Sequence, residues 1–195
     1  MKKQRFHLYH IDMKYIRDIA KVDDNVMSVS PQIGKERRPF VGVVAICDGK
    51  KYCIPLTSPK PKHQNMKNDK DFTRMFDKNN KLIGCLNFNN MIPVDDVVLL
   101  AVDMKISNED NPKTKFYKAL LNDQLDWCND HYMDITNKAE KLYKIVTETP
   151  DKMKSLTRRC CNFKKLELVL DKWIKDTLRR QGNDEFQYKT PSKRI

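Results

Sequence analysis

Apolar residues change their period once along the chain. Before about residue 105 they alternate with polar ones or gather in short β-branched runs. From Asn111 onward they return every three or four residues. The first pattern predicts strands and the second amphipathic helices. Phe6 to Ile11 alternates and predicts a first strand, followed by a short helical stretch through Lys14-Tyr15-Ile16-Arg17. Asp23-Asp24-Asn25 and Ser28-Val29-Ser30-Pro31 mark loop. The runs Phe40 to Cys47 and Lys51 to Leu56 flank Asp48-Gly49, the strongest short-range hairpin signal a sequence carries. Leu82 to Asn87 and Val97 to Val102 predict two more strands.

Helical stripes follow. Phe116, Leu120, Leu121, Leu125 and Cys128 form the first, and Ile135, Ala139, Leu142, Tyr143 and Val146 the second. Leu166, Val169, Leu170, Trp173, Ile174 and Thr177 form the third. Asn162 is placed to cap the last helix and Gly182 to stop it, leaving 183–195 as a flexible tail. Strands first and helices last predict an α+β domain: a small, strongly bent antiparallel β-sheet or barrel covered by helices, with a helical C-terminal half. With no internal repeat and no dividing linker, residues 1–195 read as a single domain.

Charge adds a partner to this picture. The formal net charge is +12, and it is unevenly spread. Residues 1–31 carry +2 (six basic, four acidic), and residues 32–75 carry +6 (ten, four). Residues 76–150 carry −3 (nine, twelve), and residues 151–195 carry +7 (thirteen, six). Two basic blocks separated by an acidic one suit a polyanion, with nucleic acid the first choice. No apolar run approaches the ~20 residues needed to cross a bilayer, and the basic start lacks a secretory apolar stretch. The six cysteines show no C-x-x-C spacing. They read as reduced, packed thiols in a cytoplasmic protein rather than as metal ligands.

Candidate chemistry concentrates where the hairpin ends, at Pro55-Leu56-Thr57-Ser58-Pro59-Lys60-Pro61-Lys62-His63. Each proline fixes its own φ and restricts the residue before it, so this exit is stiff. Thr57 and Ser58 offer hydroxyls; Lys60, Lys62 and His63 offer cationic or acid–base groups. Such a loop can hold a phosphate and aid proton transfer without a metal. On spacing alone, a proline-rich surface turn with solvated lysines is the better account. Asp95-Asp96 makes a poor metal pair, because neighbours in a strand face opposite ways. The histidines His7, His10, His63 and His131 lack zinc spacing, and no Gly-rich phosphate loop occurs.

The stretch Lys51-Tyr52-Cys53-Ile54-Pro55-Leu56-Thr57-Ser58-Pro59-Lys60, with His63 beyond it, resembles the ToxN/AbiQ family of toxins from type III toxin–antitoxin and phage-abortive systems. Lys14-Tyr15-Ile16, Pro39-Phe40-Val41-Gly42, Met91-Ile92-Pro93 and Cys161-Asn162-Phe163 match in the family's order, up to about Trp173. The resemblance implies an endoribonuclease that needs no metal or cofactor and is inhibited by its own repetitive RNA antitoxin. It implies that the RNA precursor is cut into repeats, each folded repeat wrapping the protein in a closed protein–RNA hetero-oligomer. The implied fold is a bent sheet with helices similar to the MazF/Kid toxins. By position, Thr57, Ser58 and Lys60 match the family's active-site loop, His63 also matches, and Tyr15 matches an aromatic position beside it. Arg38 stands where members carry a basic residue before Phe40, which implies phosphate contact.

The expected reaction is attack of the RNA 2′-hydroxyl on the adjacent phosphorus, leaving a 2′,3′-cyclic phosphate and a 5′-hydroxyl. Lys60 would stabilise the phosphorane and protonate the leaving oxygen, while Thr57 and Ser58 hold phosphate or ribose oxygens. Arg37, Arg38 and Lys62 would hold the cut site. Arg158, Arg159, Lys164 and Lys165 would bind folded RNA elsewhere, with Phe163 or Tyr52 available to stack on bases. Two alternatives remain at this level: a non-catalytic RNA-binding module, and a DNA-binding regulator that uses the last helix.

Overall fold

Asp48 and Gly49 both adopt positive φ, 50° and 73°, the left-handed pair that a two-residue hairpin turn requires. They join β2 (Val41–Cys47) to β3 (Lys50–Thr57), paired in register from Cys47↔Lys50 to Gly42↔Pro55. A computed structural model describes residues 4–26 and 41–187 of the protein. The expected contacts of Arg37 and Arg38 lie outside the described residues.

The hairpin is the centre of one antiparallel sheet. On its β2 side come β1 (Leu8–Ile11) and then β7 (Leu99–Ala101). On its β3 side the partner changes along the strand. Tyr52 and Cys53 face β6 (Ile92–Pro93), whereas Leu56 and Thr57 face β5 (Leu82–Asn87), which pairs in turn with β4 (Phe72–Phe76). Pro55, which lacks an N–H, lies in the gap between the two partners. The described strands run in the order β4-β5-β3-β2-β1-β7, an open sheet rather than a barrel.

Helices cover this sheet. α1 (Met13–Ala20) starts at Asp12, whose carboxylate accepts from Lys14 N and Tyr15 N, a standard way of satisfying first-turn N–H groups. After the single turn α2 (Pro61–Gln64) come α3 (Pro112–Asp130), α4 (Tyr132–Glu148), α5 (Lys154–Arg159) and α6 (Phe163–Gln187). Asn162 caps α6 as expected, its Oδ1 accepting from Lys165 N at 3.1 Å. The stop expected at Gly182 does not occur, and the helix runs on to Gln187. One glycine costs a helix only about 1 kcal/mol relative to alanine, too little to end it.

Other departures follow from a local contact or from packing. The strand expected over Val97 to Val102 begins as a 3-10 turn, Asp96–Val98, because the Asp95 carboxylate accepts from Val97 N. Phe116, expected in the core stripe of α3, is 69% exposed, while Leu121 and Cys128 are buried. Tyr52 and Phe163 are fully buried and stack edge-on at 5.5 Å, so neither ring is available to a nucleobase.

One buried carboxylate ties the layers together. Glu167 on α6 accepts from Tyr52 Oη of β3 at 2.7 Å and from Tyr143 Oη of α4 at 2.8 Å. Lys50 Nζ bonds its other oxygen, and Lys164 Nζ stands 3.5 Å away. Burial opposes ionisation, but the hydrogen bonds from Lys50, Tyr52 and Tyr143 outweigh it and hold Glu167 below the usual carboxylate range.

Removing one member of a buried, hydrogen-bonded charge cluster leaves its partners unpaired, at a cost of about 3–5 kcal/mol. Urea unfolding of Glu167→Ala should show a loss of that order. Glu167→Gln should lose less at pH 7. Its deficit against the wild type should narrow as pH falls below about 4.5, the ordinary carboxylate value, because the stabilisation exists above the unfolded pKa and vanishes through the lower folded one. A deficit constant down to pH 3 would rule out this role.

Candidate active site

The last residue of β3 opens the site. Thr57 sits directly across from Cys85 on β5, which sits across from Arg74 on β4. Opposed residues share a face, so Thr57, Cys85 and Arg74 form one row. Asn87 lies on the same face and reaches Thr57 Oγ1 with its Nδ2 at 3.4 Å, while Thr57 Oγ1 reaches Cys85 O at 3.5 Å. Both contacts are long, which leaves the Thr57 hydroxyl available to a better partner.

Backbone packing brings the strands this close. A Cβ on Gly84 would stand 2.7 Å from Thr57 O and 2.3 Å from Gln124 Nε2. Gln124 itself is buried and donates to Ile83 O at 2.8 Å. Thr57 therefore rests on a rigid floor set by β5 and α3.

Beyond it the chain turns outward. Ser58, Pro59, Lys60 and Lys62 are exposed, as the composition of the loop predicts. Lys60 is extended (φ −130°, ψ 152°) and stands at the N-cap of α2 with Pro61 behind it. The Lys60 carbonyl accepts from His63 N at 2.9 Å. His63 folds back beneath the turn, 5% exposed, with its ring edge-on to Phe72 at 5.9 Å. Its Nδ1 is buried without a hydrogen-bond partner. Burial, then the charges of Lys62 and Lys60, push its pKa below the usual 6.5. At neutral pH it is an uncharged imidazole.

Tyr15 does not join this cluster. It is fully buried, its hydroxyl donates to Pro93 O at 2.7 Å, and its ring meets Trp173 edge-on. Pro93 faces Tyr52, five residues before Thr57 on β3, which is roughly 16 Å along a strand. Burial raises the Tyr15 hydroxyl far above its ordinary pKa. Its position supports β6 and α1 rather than the reacting group.

The second basic block is divided. Arg159 is committed to the fold: its Nε donates to buried Asp71 at 2.5 Å, and its Nη2 reaches Asp69 at 3.1 Å. Lys164 donates to Tyr143 Oη at 2.5 Å, and Lys165 bonds Val22 O. Arg158 is exposed and forms no ion pair among the described residues. It lines an open cleft of about 710 Å³ with Asn25, Lys154 and Ser155. A further cleft of about 480 Å³ holds Lys70, Lys138 and Lys141. Among the described residues, no group of three or more His, Cys, Asp or Glu side chains is placed to hold a metal ion.

Arg74 and Asn87, which share the face of Thr57, were not legible from the sequence. β4 is short, and the available sign was the turn after it. The Asp77 carboxylate accepts from Asn79 N and Lys81 N, and Asn80 takes a φ of 58°, the habit of Asp and Asn in tight turns.

Known proteins share this architecture. An AbiQ structure, a lactococcal anti-phage endoribonuclease of the type III toxin–antitoxin class, superposes with a TM-score of 0.73 at 25% identity, over 88% of this chain and 99% of that one. A type III toxin selectively inhibited by a non-coding RNA pseudoknot superposes at 0.72 with 28% identity, over 87% and 98%. Endoribonuclease ToxN of Bacillus thuringiensis subsp. kurstaki is 33% identical over 171 residues, 84% of this chain and 80% of the relative. Endoribonuclease ToxN of Pectobacterium atrosepticum is 30% identical over 162 residues, 82% and 88%. The family profile described as "Toxin ToxN, type III toxin-antitoxin system" matches residues 7–171, and the chain belongs to that family.

Proposed function

We propose that the protein is the toxin of a type III toxin–antitoxin system, an endoribonuclease that cuts RNA without a metal and is held inactive by its own folded RNA antitoxin. It acts in the cytoplasm, forms a closed protein–RNA assembly with the antitoxin repeat, and serves phage-abortive defence. The observation that carries this reading is family membership across residues 7–171 with half-buried Thr57 and the exposed Ser58-Pro59-Lys60 loop inside the matched span.

The chemistry needs an in-line 2′-hydroxyl and stabilisation of the charge that builds on phosphorane oxygens. Thr57, on its fixed floor, and Ser58 hydrogen-bond phosphate or ribose oxygens. Lys60 faces solvent from an extended backbone, stabilises the phosphorane and donates a proton to the leaving 5′-oxygen. His63 is held neutral and is the proton acceptor of the turn, taking the proton of the 2′-hydroxyl. Tyr15 acts at a distance, by holding β6 against β3.

Folded RNA uses other cations. Arg158, with exposed Lys152 and Lys154 beside it, is free to meet phosphates. Arg159, Lys164 and Lys165 already serve the fold, so they contribute field more than direct contact.

Lys60→Ala should lower single-turnover cleavage by about a hundredfold or more, the usual effect of losing one oxyanion contact. Unfolding should be unchanged, since the side chain is exposed. Wild-type cleavage should persist in excess chelator and leave a cyclic phosphate. Full activity of Lys60→Ala, or activity killed by chelator and restored by Mg²⁺, would defeat the assignment.

Cleavage should also fall on the acid side of a pKa below 6.5, as His63 takes up a proton. Lys62→Gln removes a charge that depresses this pKa and should move the limb to higher pH. His63→Asn should be slow and lack the limb altogether; an unaltered pH profile in that variant would remove His63 from the mechanism.

Replacing Lys152, Lys154 and Arg158 with Gln should weaken antitoxin RNA binding while sparing cleavage of a short oligonucleotide. Each lost phosphate contact should reduce the log–log salt slope by roughly 0.7–0.9. Equal losses in both assays would place these cations at the cut site instead.

A further inference from the structure

Among the described residues, buried polar side-chain atoms without a partner are His10 Nδ1, His63 Nδ1 and Arg74 Nε. The last two belong to one small region, the turn α2 and the strand beneath it. Arg74 stands in the same cross-strand row as Thr57. Phe72, on which the His63 ring rests, precedes Arg74 by two residues and so shares its face. From there Arg74 reaches up. Its Nη1 donates to Gln64 O at 2.7 Å, and its guanidinium carbon lies 5.1 Å from the centre of the Phe76 ring. Asn68 Oδ1 accepts the Arg74 backbone N–H at 2.8 Å, fixing the start of the side chain.

α2 needs such a contact. A single helical turn orders several residues for one internal hydrogen bond and is marginal by itself. At its start His63 N donates to Lys60 O at 2.9 Å, and the closing carbonyls have no helical partner. Gln64 O is the one that Arg74 takes. A guanidinium can hold that carbonyl with one N–H while its plane lies over Phe76, a combination of fork and flat face that an ammonium lacks.

We propose that Arg74 is a positioning residue for the cleavage reaction. By holding Gln64 it fixes α2, and through the Lys60–His63 bond it fixes Lys60 relative to Thr57. This rests on the reading of Lys60 as the group that stabilises the phosphorane. Arg74 need not touch RNA. A misplacement of about 1 Å in a reacting constellation can cost about a hundredfold in rate, so a clamp outside the chemistry controls it.

The test is a cycle of variants in single-turnover cleavage of a short RNA, with RNA affinity and thermal unfolding measured alongside. Arg74→Ala should lower the rate at saturating protein by about tenfold to a hundredfold, with RNA affinity and unfolding temperature close to wild type. Arg74→Met, which keeps the stem over Phe76 but has no donor, should behave the same and serves if Arg74→Ala fails to fold. Arg74→Lys, whose ammonium can still reach Gln64 O but cannot lie flat on Phe76, should recover only part of the rate. In a Lys60→Ala background the Arg74 substitution should cost clearly less than in the wild type, the remainder acting through His63, because groups acting as a unit are not additive. Wild-type rate in folded Arg74→Ala and Arg74→Met overturns the proposal. So does a loss confined to RNA affinity, or an undiminished loss in the Lys60→Ala background. Full cleavage by Lys60→Ala alone would instead overturn the reading beneath it.

Discussion

The fold depends on one carboxylate kept ionised out of water. Glu167 is where β3, α4 and α6 meet, through the hydroxyls of Tyr52 and Tyr143. An isolated buried carboxylate would be strongly unfavourable. Two phenols and the ammonium of Lys50 remove that penalty, and the same bonds prevent the layers from sliding. Phe163 and the two tyrosines close around the group, their rings 5.4 to 5.8 Å apart. Because Tyr52 is in β3, the strand that delivers Thr57 is anchored at its first half by this cluster. Its second half is held by β5.

That division of β3 explains how a small sheet presents the candidate loop. The strand is paired with β2 along most of its length and changes its other partner from β6 to β5 around Pro55. Thr57 is thus rigid while Ser58 to Lys60, only one to three residues further on, are exposed. A fixed hydroxyl beside a reachable ammonium suits the proposed phosphate chemistry.

Positive charge is divided between two uses. Arg159 neutralises buried Asp71, and Lys118 is sunk between Asp103 and Asp110 at 2.7 and 3.1 Å. Lys138 is half-buried, donates to Phe72 O and Thr73 Oγ1, and is pushed below the usual lysine range by that burial. These cations hold strands and helices. Lys60, Lys62, Lys152, Lys154 and Arg158 remain turned outward. A net charge therefore overstates what a polyanion can touch, and a basic block read along the chain mixes the two kinds.

Elements whose causes are local were legible before any fold was known. Asp48-Gly49 set the hairpin because only residues tolerant of positive φ make that turn, and Asn162 began α6 because its side chain meets the third N–H beyond it. The Ser58–Lys62 segment was legible as exposed chemistry because Pro59 and Pro61 keep it out of the ladder. Gly182 was misread, since a glycine weakens a helix without ending it. Only the tertiary structure decided the rest. Phe116 and Tyr15 look alike as apolar positions on helices, yet one faces solvent and the other is sealed beneath Trp173. Arg158 and Arg159 are neighbours of one type, yet one reaches water and the other Asp71, 88 residues away in the chain. Arg74 stands beside Thr57 only because β5 lies between them. Which side chain meets which across such separations follows from strand pairing and packing, and no periodicity within a single segment contains it.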